Sequence, residues 1–234
     1  MELQYIEKKE NGKYIKRYDL HYKTREGNEK IYEMVSHNNN ETIDTLSNNK
    51  TDAVIIACFN KDFSKICITK EYRLAVNSWI MNFPAGMIDK GETFIEAARR
   101  ELKEETGLNI VEILHTLPDS FSSVGLSNEK SKFIIVVADG DFGGNNNEYE
   151  EIIPGWYTKE EVNKLLKETM FSGRAQLFSY LWANNMINLW NLLNTPTLGG
   201  SIFIFRLLKY AIKEYNIIYF QNMARKKERS KYEI

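Results

Sequence analysis

The sequence predicts an α+β protein, and three observations carry that expectation. Residues 53–59 and 133–138 are unbroken apolar runs of strand length. Residues 93–106 hold strong helix formers with no Gly or Pro. Asn-, Asp- and Gly-rich clusters punctuate the chain between these runs, as turns do.

In chain order, residues 14–22 and 30–36 are rich in Tyr and Ile and flank the Gly27-Asn28 turn signal, which predicts a pair of strands. Polar breaks follow at residues 37–40 and 47–50. Residues 53–59 are expected as a buried strand and 65–69 as its partner across Asn60-Lys61-Asp62. Residues 78–83 form a further strand stopped by Pro84. The helix over 93–106 carries an apolar stripe at Ile95, Ala98 and Leu102 and ends at Gly107. Residues 110–117 and 133–138 are strands, and the Gly/Asn-rich acidic stretch 140–151 is a loop. Trp156-Tyr157 closes a short strand. Thr158 and Glu161 have capping-box spacing for a helix over 159–167. Residues 173–193 are helical by pattern, 195–200 are a break, and 201–234 read as an amphipathic helix with a basic end. The expected organisation is an N-terminal antiparallel strand region (1–50), a central domain (51–194) and a helical C-terminal extension (195–234).

Composition excludes several classes. The chain has 234 residues, 31 Lys and Arg against 32 Asp and Glu, and a net charge of −1, so it carries no chain-wide basic field for nucleic acid. With 12 Phe, 13 Tyr and 4 Trp it has too much apolar surface for wholesale disorder. Cys58 and Cys67 sit in apolar runs and are expected to be buried free thiols. The start lacks a basic stretch followed by an apolar one. The apolar stretch 202–220 is broken by Arg206, Lys209, Lys213 and Glu214. The expectation is a protein with no signal peptide and no membrane span, in a reducing cytoplasm.

Residues 86–108, GMIDKGETFIEAARRELKEETGL, carry the chemistry. On a helix Glu101 and Glu105 stand at i and i+4 and share a face, with Glu104 to one side. Three carboxylates on one arc repel, and a divalent cation reverses that penalty; hard oxygen ligands suit Mg²⁺ or Mn²⁺. Glu92 precedes the helix, and Arg100 can tie a carboxylate by a bidentate contact. Gly86 and Gly107 permit tight turns on either side. For the three glutamates alone, a solvated charged face is the ordinary explanation. The spacing of Gly86, Glu92, Arg100-Glu101-Leu102 and Glu104-Glu105-Thr106-Gly107 reverses it.

This stretch resembles the Nudix box of nucleoside-diphosphate-linked hydrolases at every defined position. The resemblance covers about residues 13–185. It implies an α/β/α sandwich with a mixed sheet and cleavage of a pyrophosphate joining a nucleoside to another group. Glu101 and Glu105 would be the principal metal ligands, with Glu104 and the Ala85 carbonyl as further candidates. Glu71-Tyr72-Arg73, Pro84-Ala85-Gly86 and the loop 122–129 look like the ADP-ribose pyrophosphatase branch. In that branch the loop glutamate, here Glu129, serves the attacking water as base or metal partner. Arg73 would bind substrate phosphate or be structural. Two residues depart from the branch: Val124 replaces a loop proline, and Asn82 stands where a glutamate is common, which leaves substrate preference open. Members commonly dimerise through the N-terminal strands, and Tyr18, Tyr22 and Tyr32 could stack on adenine.

The leading expectation is an Mg²⁺- or Mn²⁺-dependent hydrolase of ADP-ribose or a related nucleoside diphosphate sugar, acting as a homodimer. Glu129, Glu104 and Arg100 are its catalytic candidates and Arg73 its substrate contact. The alternatives are an oxidised nucleoside triphosphate as substrate, or a ligand-sensing regulator without catalysis. For the C-terminal extension, a helix packed on the protein itself or on a dimer mate stands against a membrane or nucleic-acid contact through Arg225, Lys226, Lys227, Arg229 and Lys231.

Overall fold

The structure is a computed structural model, and it describes residues 1–48, 50–143 and 148–187. The expected break at 195–200 and the helix at 201–234 lie outside the described residues.

Two sheets are formed. The first is antiparallel, in the order β1 (Glu2–Asn11), β2 (Lys16–Lys23) and β3 (Glu29–Ser36). A helical turn, α1 (Thr45–Asn48), follows it. Sequence pattern predicts β2 and β3 but misses β1. A bulge between Leu3 and Tyr5 puts the inward residues Leu3 and Ile6 three apart, which hides the two-residue period of a strand. The small core here is Tyr18, Leu20 and Met34, capped by Leu46.

The second sheet is mixed. Its spine runs β11 (Ile152–Tyr157), β5 (Ile66–Arg73), β4 (Ala53–Phe59), β10 (Lys130–Asp139) and β8 (Asn109–Thr116). Only β4 and β10 pair in parallel; the other spine pairs are antiparallel. β4 and β5 touch at just Cys58–Cys67 and Phe59–Ile66, then part. Into the opening fit β6 (Ser78–Asn82), paired with β5, and β7 (Ala85–Met87), paired with β4. A short β9 (Ser120–Phe121) pairs with the start of β10. The split between β4 and β5 is what makes room for a cavity in the sheet.

Among the described residues, three longer helices cover the sheet. α2 (Phe94–Thr106) starts at a full capping box, Thr93 with Glu96, and ends at Gly107 in the left-handed region, φ 80°. A Cβ on Gly107 would meet the Gly143 backbone nitrogen at 2.2 Å, so the position needs glycine twice over. α2 buries Ala97, Ala98 and Leu102 against Val54, Ile56, Ile134 and Val136. Ile95 is 36% exposed and is not part of the stripe; Ala97 takes its place. α3 (Lys159–Glu168) begins at the expected box of Thr158 and Glu161. α4 (Gly173–Ala183) sets Phe178 and Trp182 against Phe59, Phe83 and Phe133, with ring centroids 5.2–6.3 Å apart. Because strand side chains alternate, β4 sends Val54, Ile56 and Cys58 toward α2, while Phe59 faces α4. The result is the expected α/β/α sandwich. Cys58 and Cys67 are buried free thiols, as expected, facing each other across β4 and β5. Among the described residues, no helix is long and apolar enough to cross a membrane.

The N-terminal sheet is fastened to the loop before β10. The Val35 N–H donates to the Leu126 carbonyl at 2.9 Å, and the Tyr32 hydroxyl to the Gly125 carbonyl at 2.7 Å. Glu41, only 8% exposed, accepts from Ser36 at 2.5 Å, Asn128 at 3.0 Å and Thr45 at 2.7 Å. Buried donors that lose such a partner carry a desolvation cost of about 1–3 kcal/mol. Glu41→Ala is therefore expected to destabilise the protein by about 2 kcal/mol. A lower midpoint in denaturant titration, with an unchanged slope, checks it.

Candidate active site

The geometry of the box begins with how close α2 lies to β7. The Ala85 N–H donates to the Glu105 carboxylate at 3.1 Å. The Glu101 carboxylate rests on Gly86, where a Cβ would come within 2.0 Å of it. Gly86 has no positive φ among the backbone values, so it is required for this close approach and not for the turn expected from sequence. Gly86→Ala is expected to push Glu101 out of place: the fold should persist by circular dichroism, with divalent-cation affinity reduced at least about tenfold.

Arg100 organises the box from outside. Its Nε and Nη2 donate to the two oxygens of Glu92 at 3.0 and 2.8 Å. Nη2 also donates to the Met87 carbonyl at 2.9 Å, and Nη1 to Glu101 at 2.7 Å and Glu104 at 3.3 Å. Glu92 closes the loop by accepting from the Asp89 N–H at 3.0 Å. The Arg100 hydrogen bonds hold Glu92 below the usual carboxylate range.

These contacts border a cavity of about 760 Å³. Its wall holds five carboxylates, Glu71, Glu101, Glu105, Glu129 and Glu150, with Ala85, Gly86, Arg73 and Arg174. Glu71 is held between Arg73, at 2.6 Å, and the Asn82 amide, at 3.0 Å. The Ser172 hydroxyl donates to the Asn82 oxygen at 2.6 Å, so Asn82 ties β6 to the start of α4. Glu129 stands 3.4 Å from His37 Nε2 of the N-terminal region, and its backbone N–H donates to Ser127 Oγ at 3.0 Å.

The wall is short of positive charge. Burial, then the neighbouring Glu101 and Glu71 charges, push Glu105 up to about 9, against the relief of the Ala85 hydrogen bond. Burial also raises Glu101, and Arg100 opposes it. Such a site takes up either protons or a hard cation. Among the described residues no three His, Cys, Asp or Glu side chains form a preformed cage. Arg100 accounts for this in part, because it draws Glu101 and Glu104 toward itself. Mg²⁺ does not need a cage: it retains several waters and takes one or two carboxylates plus substrate phosphate oxygens. The carboxylate-rich wall and the raised Glu105 fit a hard divalent cation.

Of the residues expected from sequence, Ala85, Gly86, Glu101, Glu105, Glu129 and Arg73 line the cavity. Glu92 and Arg100 brace it, Gly107 caps α2, and the Glu104 side chain is 60% exposed at the Arg100 side. Tyr18 is corrected from adenine stacking to core: it is 2% exposed and its hydroxyl donates to the Asn38 carbonyl at 2.7 Å. Tyr22 and Tyr32 line a separate groove of about 470 Å³ with Leu20 and Met34. Sequence reasoning missed Glu71 as a site carboxylate, Glu150 and Arg174. The motif beginning at Glu71 drew attention to its arginine, Glu150 lay in a stretch read as loop, and nothing local marks Arg174.

The fold is an α/β/α sandwich, and its site is a carboxylate-lined cavity built on a glycine–helix box. The NUDIX domain matches residues 49–181, and the chain belongs to that family. A Caenorhabditis elegans protein that bears the nudix name is 33% identical over 138 residues, 58% of this chain and 60% of that protein. The ADP-sugar pyrophosphatase of Mus musculus is 31% identical over 137 residues, 57% of this chain and 60% of that protein. The chain thus spans about three fifths of the length of these relatives. The crystal structure of an ADP compounds hydrolase superposes with a TM-score of 0.61 at 17% identity, covering 80% of this chain and 94% of that one; this likeness bears on the fold alone.

Glu105 gives a pH-dependent prediction for the cation-free protein. Its folded value is raised above the ordinary value of 4.5, so the native state holds a proton that the unfolded chain releases. Stability is then lost as pH rises from 4.5 to about 9. In chelator, Glu105→Gln is expected to melt several degrees above wild type at pH 8, and level with it at pH 4.5. Thermal scans at the two pH values check this.

Proposed function

We propose that the protein hydrolyses the diphosphate bond of ADP-ribose or a related nucleoside diphosphate sugar, with Mg²⁺ or Mn²⁺. The products are a nucleoside monophosphate and a sugar phosphate, AMP and ribose 5-phosphate in the ADP-ribose case. The observation that carries the reading is the cavity wall, where carboxylates of the box face Glu129 and two arginines. The ADP-sugar named for the mouse relative supports the substrate class.

Glu101, Glu105 and the Ala85 carbonyl would hold the cation, with Glu104 at the rim. When bound, it would neutralise diphosphate charge and lower the pKa of a coordinated water. The chain's own residues supply the rest. Glu129 accepts the proton of the attacking water as the new O–P bond forms and the bridging P–O bond breaks. Arg100 positions Glu101 and anchors Glu92 without lining the cavity. Arg73, already paired with Glu71, holds that wall and reaches substrate from it. The resemblance of the N-terminal strands to a dimerisation element suggests a homodimer, which light scattering would read.

A panel of nucleotides with Mg²⁺ tests the reading. ADP-ribose or another nucleoside diphosphate sugar should turn over, and faster turnover of triphosphates would overturn the substrate class. Glu105→Gln should lower kcat/KM at least about a hundredfold. Glu129→Gln should lower kcat by about 10²–10⁴. Unchanged turnover in Glu105→Gln would remove the metal assignment.

A further inference from the structure

The three arginines around the site differ in what their guanidinium groups already do. Arg100 is committed to Glu92, Glu101, Glu104 and the Met87 carbonyl. Arg73 is held by Glu71 at 2.6 Å, with its side chain 53% exposed. Arg174 is different. It lies in the first turn of α4, half-buried, and lines the cavity. Its Nη1 donates to Ser131 Oγ at 2.6 Å, and among the described residues no carboxylate comes within 4.0 Å of it. Ser131 is itself 1% exposed, so the guanidinium is moored to the rigid start of β10.

A guanidinium has five N–H donors in a planar fork. With one spent on Ser131, the others have no acceptor among the described residues, and a half-buried cation with no ion pair there is costly to keep. We propose that Arg174 is the principal protein contact for the substrate's diphosphate oxygens, ahead of Arg73. The fork matches two oxygens of a phosphate group, and the mooring to Ser131 keeps its geometry fixed before substrate arrives. Arg174 and Glu129 line the same cavity; burial weighs against the cationic form of the guanidinium, and the Glu129 charge partly offsets it. The neighbouring α4 N-terminus adds a weaker field of the same sign as the guanidinium.

This rests on the hydrolase reading, and the experiment separates the two. Steady-state kinetics on ADP-ribose with Mg²⁺ are compared for wild type, Arg174→Ala, Arg174→Gln, Arg174→Lys and Arg73→Ala. Calorimetric binding of inorganic pyrophosphate with Mg²⁺ is measured in parallel, since it needs no turnover. Arg174→Gln keeps a donor for Ser131 and guards against misfolding in the alanine variant, and thermal scans confirm that each is folded. The expected result is a KM about 10- to 100-fold higher in the Ala and Gln variants, with kcat within about threefold of wild type. Pyrophosphate affinity should fall in step, Lys should recover part of the loss, and Arg73→Ala should cost less than Arg174→Ala. KM and pyrophosphate affinity within about twofold of wild type in a folded Arg174→Gln would overturn the proposal, as would a larger loss in Arg73→Ala. If wild type fails on ADP-ribose while pyrophosphate binding still depends on Arg174, the substrate assignment falls and this inference stands.

Discussion

The site depends on one close approach, that of α2 to β7. Gly86 lacks a side chain, so the Glu101 carboxylate can lie on its Cα, and one turn later Glu105 accepts the Ala85 N–H. That contact brings two carboxylates of one helix face to the sheet opening between β4 and β5. The packing of Ala97, Ala98 and Leu102 holds it from below, since only small residues at 97 and 98 let the helix sit so near the strands. Arg100 holds it from outside, by locking the loop through Glu92 and the Met87 carbonyl.

The arrangement stores electrostatic cost at the place where chemistry is proposed. Five carboxylates share a wall with two arginines, and Glu105 answers by holding a proton near neutral pH. Functional sites often depart in this way from what folding alone favours. The fold pays elsewhere, through the aromatic cluster of Phe59, Phe83, Phe133, Phe178 and Trp182 on the other face. That cluster also positions α4, so the same core packing sets where Arg174 enters the cavity.

Much of this was legible in the residues. The α2 helix, its capping, the strands β4 and β10 and the role of Gly107 follow from periodicity and local chemistry, because each is decided within a dozen residues. The position of Ile95 was misjudged, since the alanines at 97 and 98 pack closer than an apolarity count suggests. β1 was missed because its bulge breaks the alternation. Arg174 could not be found locally: Ser131 and the Asn82–Ser172 bond that place it come from distant segments. The N-terminal sheet likewise reaches the Glu129 loop through tertiary contacts of Val35, Glu41, Tyr32 and His37.

In the proposed reading Glu101 and Glu105, drawn together over Gly86, form a divalent-cation site. Direct titration of the substrate-free protein with Mn²⁺, read by electron paramagnetic resonance, tests it without any assumption about the reaction. Saturable binding is expected in wild type, weakening at least about tenfold in Glu105→Gln. Equal Mn²⁺ affinity in the two proteins would contradict it.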